Sequence, residues 1–277
     1  MRNQYRHFIG ITAAFLGLLT LPSFAQFGPS PEAKQGGPFT FNADGNPNIE
    51  GFWDTDTFSA AWDIEPFEGG FEIPEGPGII LAPTNKKVPY TPEGLAEYQD
   101  RHDNHLASDP QAHCFLSGVP RQMYTPFGMQ FMQGDDQIII AFEAFHAYRI
   151  IYMTGEHPDP AIKLFEGDSR GKWIGNTLVV DVANLSDRTW YDMDGNFHGP
   201  DTHITEYFTP INENLIQYRA VIIDPGILTE PMILEMGLVR NQDPEYEQLE
   251  YACVEGEQDL QHYTVEDGGA AAVGNNQ

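Results

Sequence analysis

Positive charge is scarce in this sequence: fourteen Lys and Arg stand against forty-one Asp and Glu, for a formal net charge of −27. So acidic a surface repels nucleic acid and anionic membranes, and it disfavours polyanionic substrates unless a local basic pocket exists. Long apolar runs are confined to the first twenty-five residues, and nothing later reaches the roughly eighteen that a membrane span needs. There is no Gly-x-Ser-x-Gly, no Gly-x-Gly-x-x-Gly after a strand and no P-loop. Serine hydrolase, nicotinamide and nucleotide-triphosphate chemistries therefore have no handle. Cysteine is limited to Cys114 and Cys253.

What is present begins with an export signal. Residues 1–25 place basic Arg2 and Arg6 before an apolar run from Phe8 to Leu21, with small Ser23 and Ala25 ahead of a cleavage site. The pattern predicts a periplasmic or secreted protein cleaved after Ala25. Loss of Arg2 and Arg6 takes the net charge from −27 to −29 and leaves twelve Lys and Arg. In an oxidising compartment a Cys114–Cys253 disulfide is the first expectation, and a catalytic or metal-binding thiol the alternative. A bridge closing a loop of about 140 residues is worth at most roughly 5 kcal/mol in the chain-entropy model.

The composition then divides the chain. Residues 26–48, rich in Gly, Pro, Ser and Asn, read as a flexible leader, and residues 263–277 as a disordered tail. Between them, 49–262 reads as one domain. Gly51-x-Trp53 resembles the opening of lipocalin-like barrels. Six prolines between Pro66 and Pro92 mark a long irregular excursion of the kind that is often functional. Thr91-Pro92 starts the best helix, about 92–106, with Thr91 as N-cap. The Met- and aromatic-rich stretch 123–133 reads as core before it reads as an apolar pocket. Strands follow at 176–182, 202–208, 215–224, 232–240 and 248–254. The expected class is all-β: an antiparallel, lipocalin-like barrel or a strongly curved sheet, with long Pro-rich loops and one short helix.

At its centre lies Gln137 to Met153, QIIIAFEAFHAYRIIYM. A single strand of that length would measure roughly 56 Å, far beyond the usual five or six residues, so it must break. Two strands, 137–143 and 147–153, hinged near Glu143 to His146, are the reading, although the hinge lacks an Asn-Gly or Gly-X pair. Charged groups in so apolar a neighbourhood are either structural pairs or a site.

Several motifs occur together: Cys114-x-x-x-Gly118-x-Pro120-Arg121, Glu143-x-x-His146-x-x-Arg149-x-Ile151-Tyr152, Gly171-x-Trp173-x-Gly175-x-Thr177-Leu-Val-Val-Asp181, Thr189-Trp190, Asp224-Pro225 and Glu250-Tyr251-x-Cys253-x-Glu255-Gly256. In this combination the chain resembles a set of secreted, functionally uncharacterised bacterial proteins common in acidobacteria and proteobacteria, over about residues 110–256. The resemblance implies architecture and location, and it strengthens the disulfide. Glu156, Ile174, Tyr207, Met232 and Val254 depart from the residues usual at those positions, which implies a different substrate or a reduced activity.

The candidate chemistry rests on His146 as proton carrier, with Glu143 or Asp181 orienting it or acting as the second acid–base group. Arg149 and Tyr152 are the expected stabilisers of negative charge on an oxygen, and Trp190, His198, His203, Glu206 and Asp224 the further binding residues. The competing structural reading has His146 capping a turn, Arg149 paired with Glu143 or Glu206 in the interior, and Tyr152 packing. His198, His203 and Glu206 form a metal-type ligand set, but their spacing fits no helical motif and puts His203 and Glu206 on opposite faces of a strand. No cofactor is expected, with a divalent metal as the minor alternative. Trp53, Trp62, Trp173 and Trp190 suit a sugar or another ring. The function expected is cofactor-free lyase, isomerase or hydrolase chemistry on a small uncharged, apolar or carbohydrate-like molecule in a barrel mouth. The alternatives are a non-catalytic lipocalin-like binding protein or an envelope interaction module.

Overall fold

The computed structural model describes residues 32–69, 75–251 and 253. The expected export signal, the expected cleavage site after Ala25 and the expected disordered tail at 263–277 lie outside the described residues. The elements are β1 (Gly51–Thr55), β2 (Ile80–Ala82), α1 (Pro92–Asp100), β3 (Met129–Gln133), β4 (Gln137–Phe142), β5 (Tyr148–Tyr152), β6 (Asp168–Ile174), β7 (Thr177–Ala183), β8 (His203–Asn212), β9 (Leu215–Ile223) and β10 (Met232–Arg240).

Nine of the strands close into a barrel. The order runs from β1 through β3 to β10 in sequence, and β1 pairs back onto β10, while β2 adds to β10 as an extra strand. All neighbours are antiparallel except β5 and β6, which run parallel. The expected all-β barrel is thus formed, with one parallel seam that requires residues 153–167 to cross from one end of the barrel to the other. Tight turns close the β3–β4, β6–β7 and β8–β9 connections at one end. The long connections 56–128, 184–202 and 224–231 all sit at the opposite end, together with the β4–β5 turn.

Alternation along the strands explains why the chain closes. Residues Leu178, Val180 and Val182 on β7, Ile204 and Phe208 on β8, and Ile216, Tyr218, Ala220 and Ile222 on β9 are all buried and belong to one apolar cluster. Their sequence neighbours point out, because successive side chains leave a strand on opposite faces. Trp53 belongs to the same core. Its indole N–H donates to the Ile49 carbonyl at 3.0 Å, and the Arg240 guanidinium lies 4.2 Å over the ring, which anchors β1 to β10.

The hinge in the central stretch falls where it is expected. Phe142 and Tyr148 flank a tight turn in which the Ala147 N–H donates to the Ala144 carbonyl, and Phe145 and His146 both have positive φ, 61° and 51°. Two left-handed central residues match the twist of a hairpin, a task that Asn-Gly does without strain.

Other expectations are refined. The helix keeps its Thr91 cap, whose hydroxyl accepts from the Gly94 N–H, but α-geometry ends at Asp100 and a π-turn covers Arg101–His105. Strands β2, β3 and β6 are additions; β2 lies within the Pro-rich excursion that reads as irregular, and β3 lies within the Met-rich stretch, whose Met129 and Phe131 are core as expected. No strand forms over 248–251; Tyr251 makes a single bridge to Ala144. The described part of the leader, 32–48, is tied down. Lys34 pairs with Asp56 at 2.6 Å, and its carbonyl accepts from the Asn212 amide. Cys114 and Cys253 form the disulfide, with Cα atoms 5.4 Å apart.

Candidate functional site

The outward faces of β6, β7 and β8 carry a chain of alternating carboxylates and imidazoles. Asp168 begins β6, Asp181 stands on β7 opposite Arg170, and His203 begins β8 two residues before Thr205, the β8 partner of Asp181. The crossing connection lays His157 over this face. Its Nδ1 is 2.6 Å from Asp168 Oδ1 and its Nε2 is 3.1 Å from Asp181 Oδ2. The other oxygen of Asp181 is 2.8 Å from His203 Nε2. Arg170 completes the line, donating through Nε and Nη2 to the two oxygens of Asp168.

This relay has the elements that proton transfer requires. Asp168 is buried and fixed by Arg170, so it orients the His157 ring as an orienting acid orients a catalytic imidazole. His157 is 24% exposed, His203 44% and Asp181 46%, so a solute reaches all three. A carboxylate oxygen only accepts, so the His203 nitrogen facing Asp181 carries its hydrogen and the other nitrogen, Nδ1, is the accepting one. Among the described residues Nδ1 of His203 has no hydrogen-bond partner. One imidazole is thus held between two acids while a second presents a lone pair from the far side of the same carboxylate.

Of the residues singled out from the sequence, Asp181 and His203 belong to the relay and Tyr152 borders it through Arg170; the others lie elsewhere. His146 sits at the tip of the β4–β5 turn, half-exposed, and pairs with the still more exposed Glu250 at 2.8 Å. Glu143 is buried and binds the C-terminal segment, accepting from the Tyr246 hydroxyl and from the Leu249 and Gly128 N–H groups. Arg149 points inward. Its guanidinium donates to both oxygens of Glu206 and to the Ser169 hydroxyl, and Tyr218 donates to the same Glu206 at 2.7 Å. Tyr152 faces out beneath the Arg170 guanidinium, 4.7 Å from the ring. The proposed group of His146, Glu143, Arg149 and Tyr152 is therefore dispersed, because alternation sends Arg149 inside and the turn carries His146 outward.

The remaining residues brace the long connections. Trp190 lies under Arg101 in a small apolar cluster with Leu106 and Phe197. His198 is buried between the Thr189 hydroxyl at 2.7 Å and the Gly199 carbonyl at 3.1 Å, and burial lowers its basicity. Asp224 accepts from the Gly199 N–H and the Thr202 hydroxyl. His198, His203 and Glu206 thus occupy three separate environments, which dissolves that ligand set. Among the described residues no group of three or more His, Cys, Asp or Glu is arranged to hold a metal ion.

A second concentration of charge clasps the loops at the open end. Asp192 accepts four N–H bonds, from Ile64, Asp194 and Asn196 backbones and from the Asn196 amide. Asp194 accepts from the Tyr98 hydroxyl at 2.5 Å, and His102 lies 3.2 Å from its other oxygen. Burial, then the neighbouring Asp194, pushes the Asp63 carboxyl up to about 8. Burial pushes Asp192 up as well. Its four lone pairs already face N–H donors, which favour the ionised form, so the proton of this coupled set belongs on Asp63. The hydrogen bond to Asp194 lifts His102 to about 9 against the opposing effect of burial. These donors come from the very segments that the acids join, which makes the cluster a clasp between 56–67, 92–105 and 190–198.

No protein-family model matches the chain, and no curated protein matches it. The relay residues missed in the sequence are His157 and Asp168. His157 stands before Pro158 in a polar loop, and only the parallel seam, invisible in a local pattern, brings that loop across the barrel wall.

Proposed function

We propose that this protein is an exported enzyme performing acid–base chemistry on a small molecule, of the lyase or isomerase type, with the relay on the barrel wall as its active site. His203 takes a proton through Nδ1 and returns it there, while His157, whose two nitrogens face Asp168 and Asp181, fixes the Asp181 carboxylate that orients His203. Asp181 lies between them and stabilises whichever ring is charged. The observation that carries this reading is the Asp168–His157–Asp181–His203 line, in which both imidazoles are fixed by carboxylates and His203 keeps Nδ1 open to a solute. Positioned acid–base groups of this kind contribute rate factors of about 10² to 10⁴. The barrel interior gives less support to a lipocalin-like binding role, since its inward side chains pack into one core.

The test is proton exchange in D2O, followed by NMR, over a library of small hydroxy and carbonyl compounds. At least one compound should lose a C–H signal or be converted, at a rate reduced about 10²-fold or more in His157→Ala and His203→Ala. Binding without exchange or conversion, across the whole library, would return the protein to the class of binding proteins.

A further inference from the structure

The wall on one side of the relay specifies the body of what it acts on, an inference that rests on the reading of the relay just given. Strand register sets His203 directly beside Ile223 of β9. Two residues along, Thr205 lies beside Val221, which in turn pairs with Ile233 of β10. These side chains all leave the outer face, because their sequence neighbours Ile204, Ile222, Met232 and Leu234 are buried in the core. Directly opposed side chains on antiparallel strands have Cβ atoms about 5 Å apart, and diagonal neighbours about 7 Å. A solute of more than a few heavy atoms at the His203 ring therefore touches Ile223.

The ring of His203 is thus a boundary. Toward β7 its Nε2 faces Asp181 at 2.8 Å. Toward β9 and β10 the wall is apolar: Ile223 is 47% exposed, Val221 and Ile233 are partly buried, and the strip continues to Ala82 of β2. It stops one row further down the strands, where Arg219 is bound to Glu235. Aliphatic side chains exposed singly need no explanation, but a contiguous strip that begins at an open base marks a contact surface. In a chain with forty-one Asp and Glu, no acid interrupts it.

The strip also separates the two kinds of molecule that the composition suggests. A sugar ring needs an aromatic face to stack on, and none of the four tryptophans belongs to this wall. Trp53 and Trp173 pack on the core, Trp190 joins Leu106 and Phe197, and the Trp62 carbonyl accepts from the Asp194 N–H in the clasp. Branched aliphatic side chains offer a molecule no hydrogen bond, and they gain from covering an alkyl or aryl group.

We infer that Ile223, with Val221 and Ile233, seats the apolar part of the relay's substrate, a small uncharged carbonyl compound, and that His203 acts on the carbon beside its carbonyl. The C–H electron pair passes into an enolate and the proton goes to Nδ1. Return of a proton from Nδ1 to the same carbon restores the carbonyl compound. In D2O that nitrogen exchanges with solvent before the return, so the carbon gains deuterium.

A homologous set of methyl ketones, butanone, hexanone and octanone, tests it on the full protein, with binding measured by ligand-observed NMR and C–H exchange measured in D2O. A methylene covered on one side contributes about twofold, so octanone should half-saturate the protein at about a tenth of the butanone concentration or less. Ile223→Ser should cut that preference about fivefold and Val221→Thr about twofold. Equal half-saturation across the series in the unaltered protein, or a preference that Ile223→Ser leaves intact, overturns the inference. The relay is judged separately: His203→Ala should abolish exchange while octanone binding persists, and exchange that survives His203→Ala overturns the relay whatever Ile223 does.

Discussion

The side chains of greatest consequence divide into those that are satisfied and those that are open. Arg149 and Glu206, in the barrel interior, are fully engaged with each other, Ser169 and Tyr218. Removing one partner leaves an uncompensated buried charge, so Arg149→Met should cost about 3–5 kcal/mol, with part recovered when Glu206→Gln is added. Urea unfolding of the single and double variants checks this. A single-variant loss below about 1 kcal/mol would mean that Glu206 finds another partner or a proton. The buried Arg121–Asp109 pair, two bonds of 2.7 Å, gives the Pro120-Arg121 motif a structural meaning of the same kind. His157 and His203, by contrast, hold their imidazoles against acids at the barrel's outer wall, and the open Nδ1 of His203 is why the function is assigned there.

At the scale of single elements, the β4–β5 turn carries strain that its sequence does not relieve. His146 adopts φ 51° without the freedom of glycine, and its contact with Glu250 is an exposed pair worth little. His146→Gly should therefore raise stability by about 0.5–1 kcal/mol, net of the lost pair. The same variant should leave any activity of the relay unchanged, a result readable by comparing denaturant midpoints and exchange rates. Lower stability in His146→Gly would show that the Glu250 contact outweighs the backbone strain. Helix α1 gives the opposite case, a local rule fully obeyed: Thr91→Ala should cost about 1 kcal/mol through loss of the cap.

For the molecule as a whole, buried acids and one histidine link stability to pH. Asp63 is pushed up to about 8 and Glu166 to about 7, in both cases chiefly by burial. His102 is raised to about 9 chiefly by its hydrogen bond to Asp194. In each case the folded chain holds its proton more tightly than the unfolded chain. The contributions of Asp63 and Glu166 are complete below their free values near 4, and are lost as pH rises through 8 and 7. That of His102 is complete below 6.5 and lost as pH rises through about 9. Stability should thus fall between pH 5 and pH 9, with the melting temperature lower by roughly 5 °C or more at the alkaline end. A flat or rising profile in calorimetry would show that the clasp of Asp63, Asp192 and Asp194 relaxes or hydrates. The disulfide acts on the same scale: opening the Cys114–Cys253 loop should cost up to roughly 5 kcal/mol, seen as a lower melting temperature under reducing conditions.

The sequence alone determined the class of fold, most of its strands, the break near Glu143 to His146, the capped helix and the pairing of the cysteines. These follow from local quantities: alternation, strand length, the chemistry of Thr-Pro, and the small number of thiols. Which titratable groups meet was decided only by tertiary structure. His157 and Asp168 join Asp181 and His203 because a parallel seam carries the 153–167 segment across the wall. Local periodicity shows which face a residue takes, but register and crossing fix which residues on that face become neighbours.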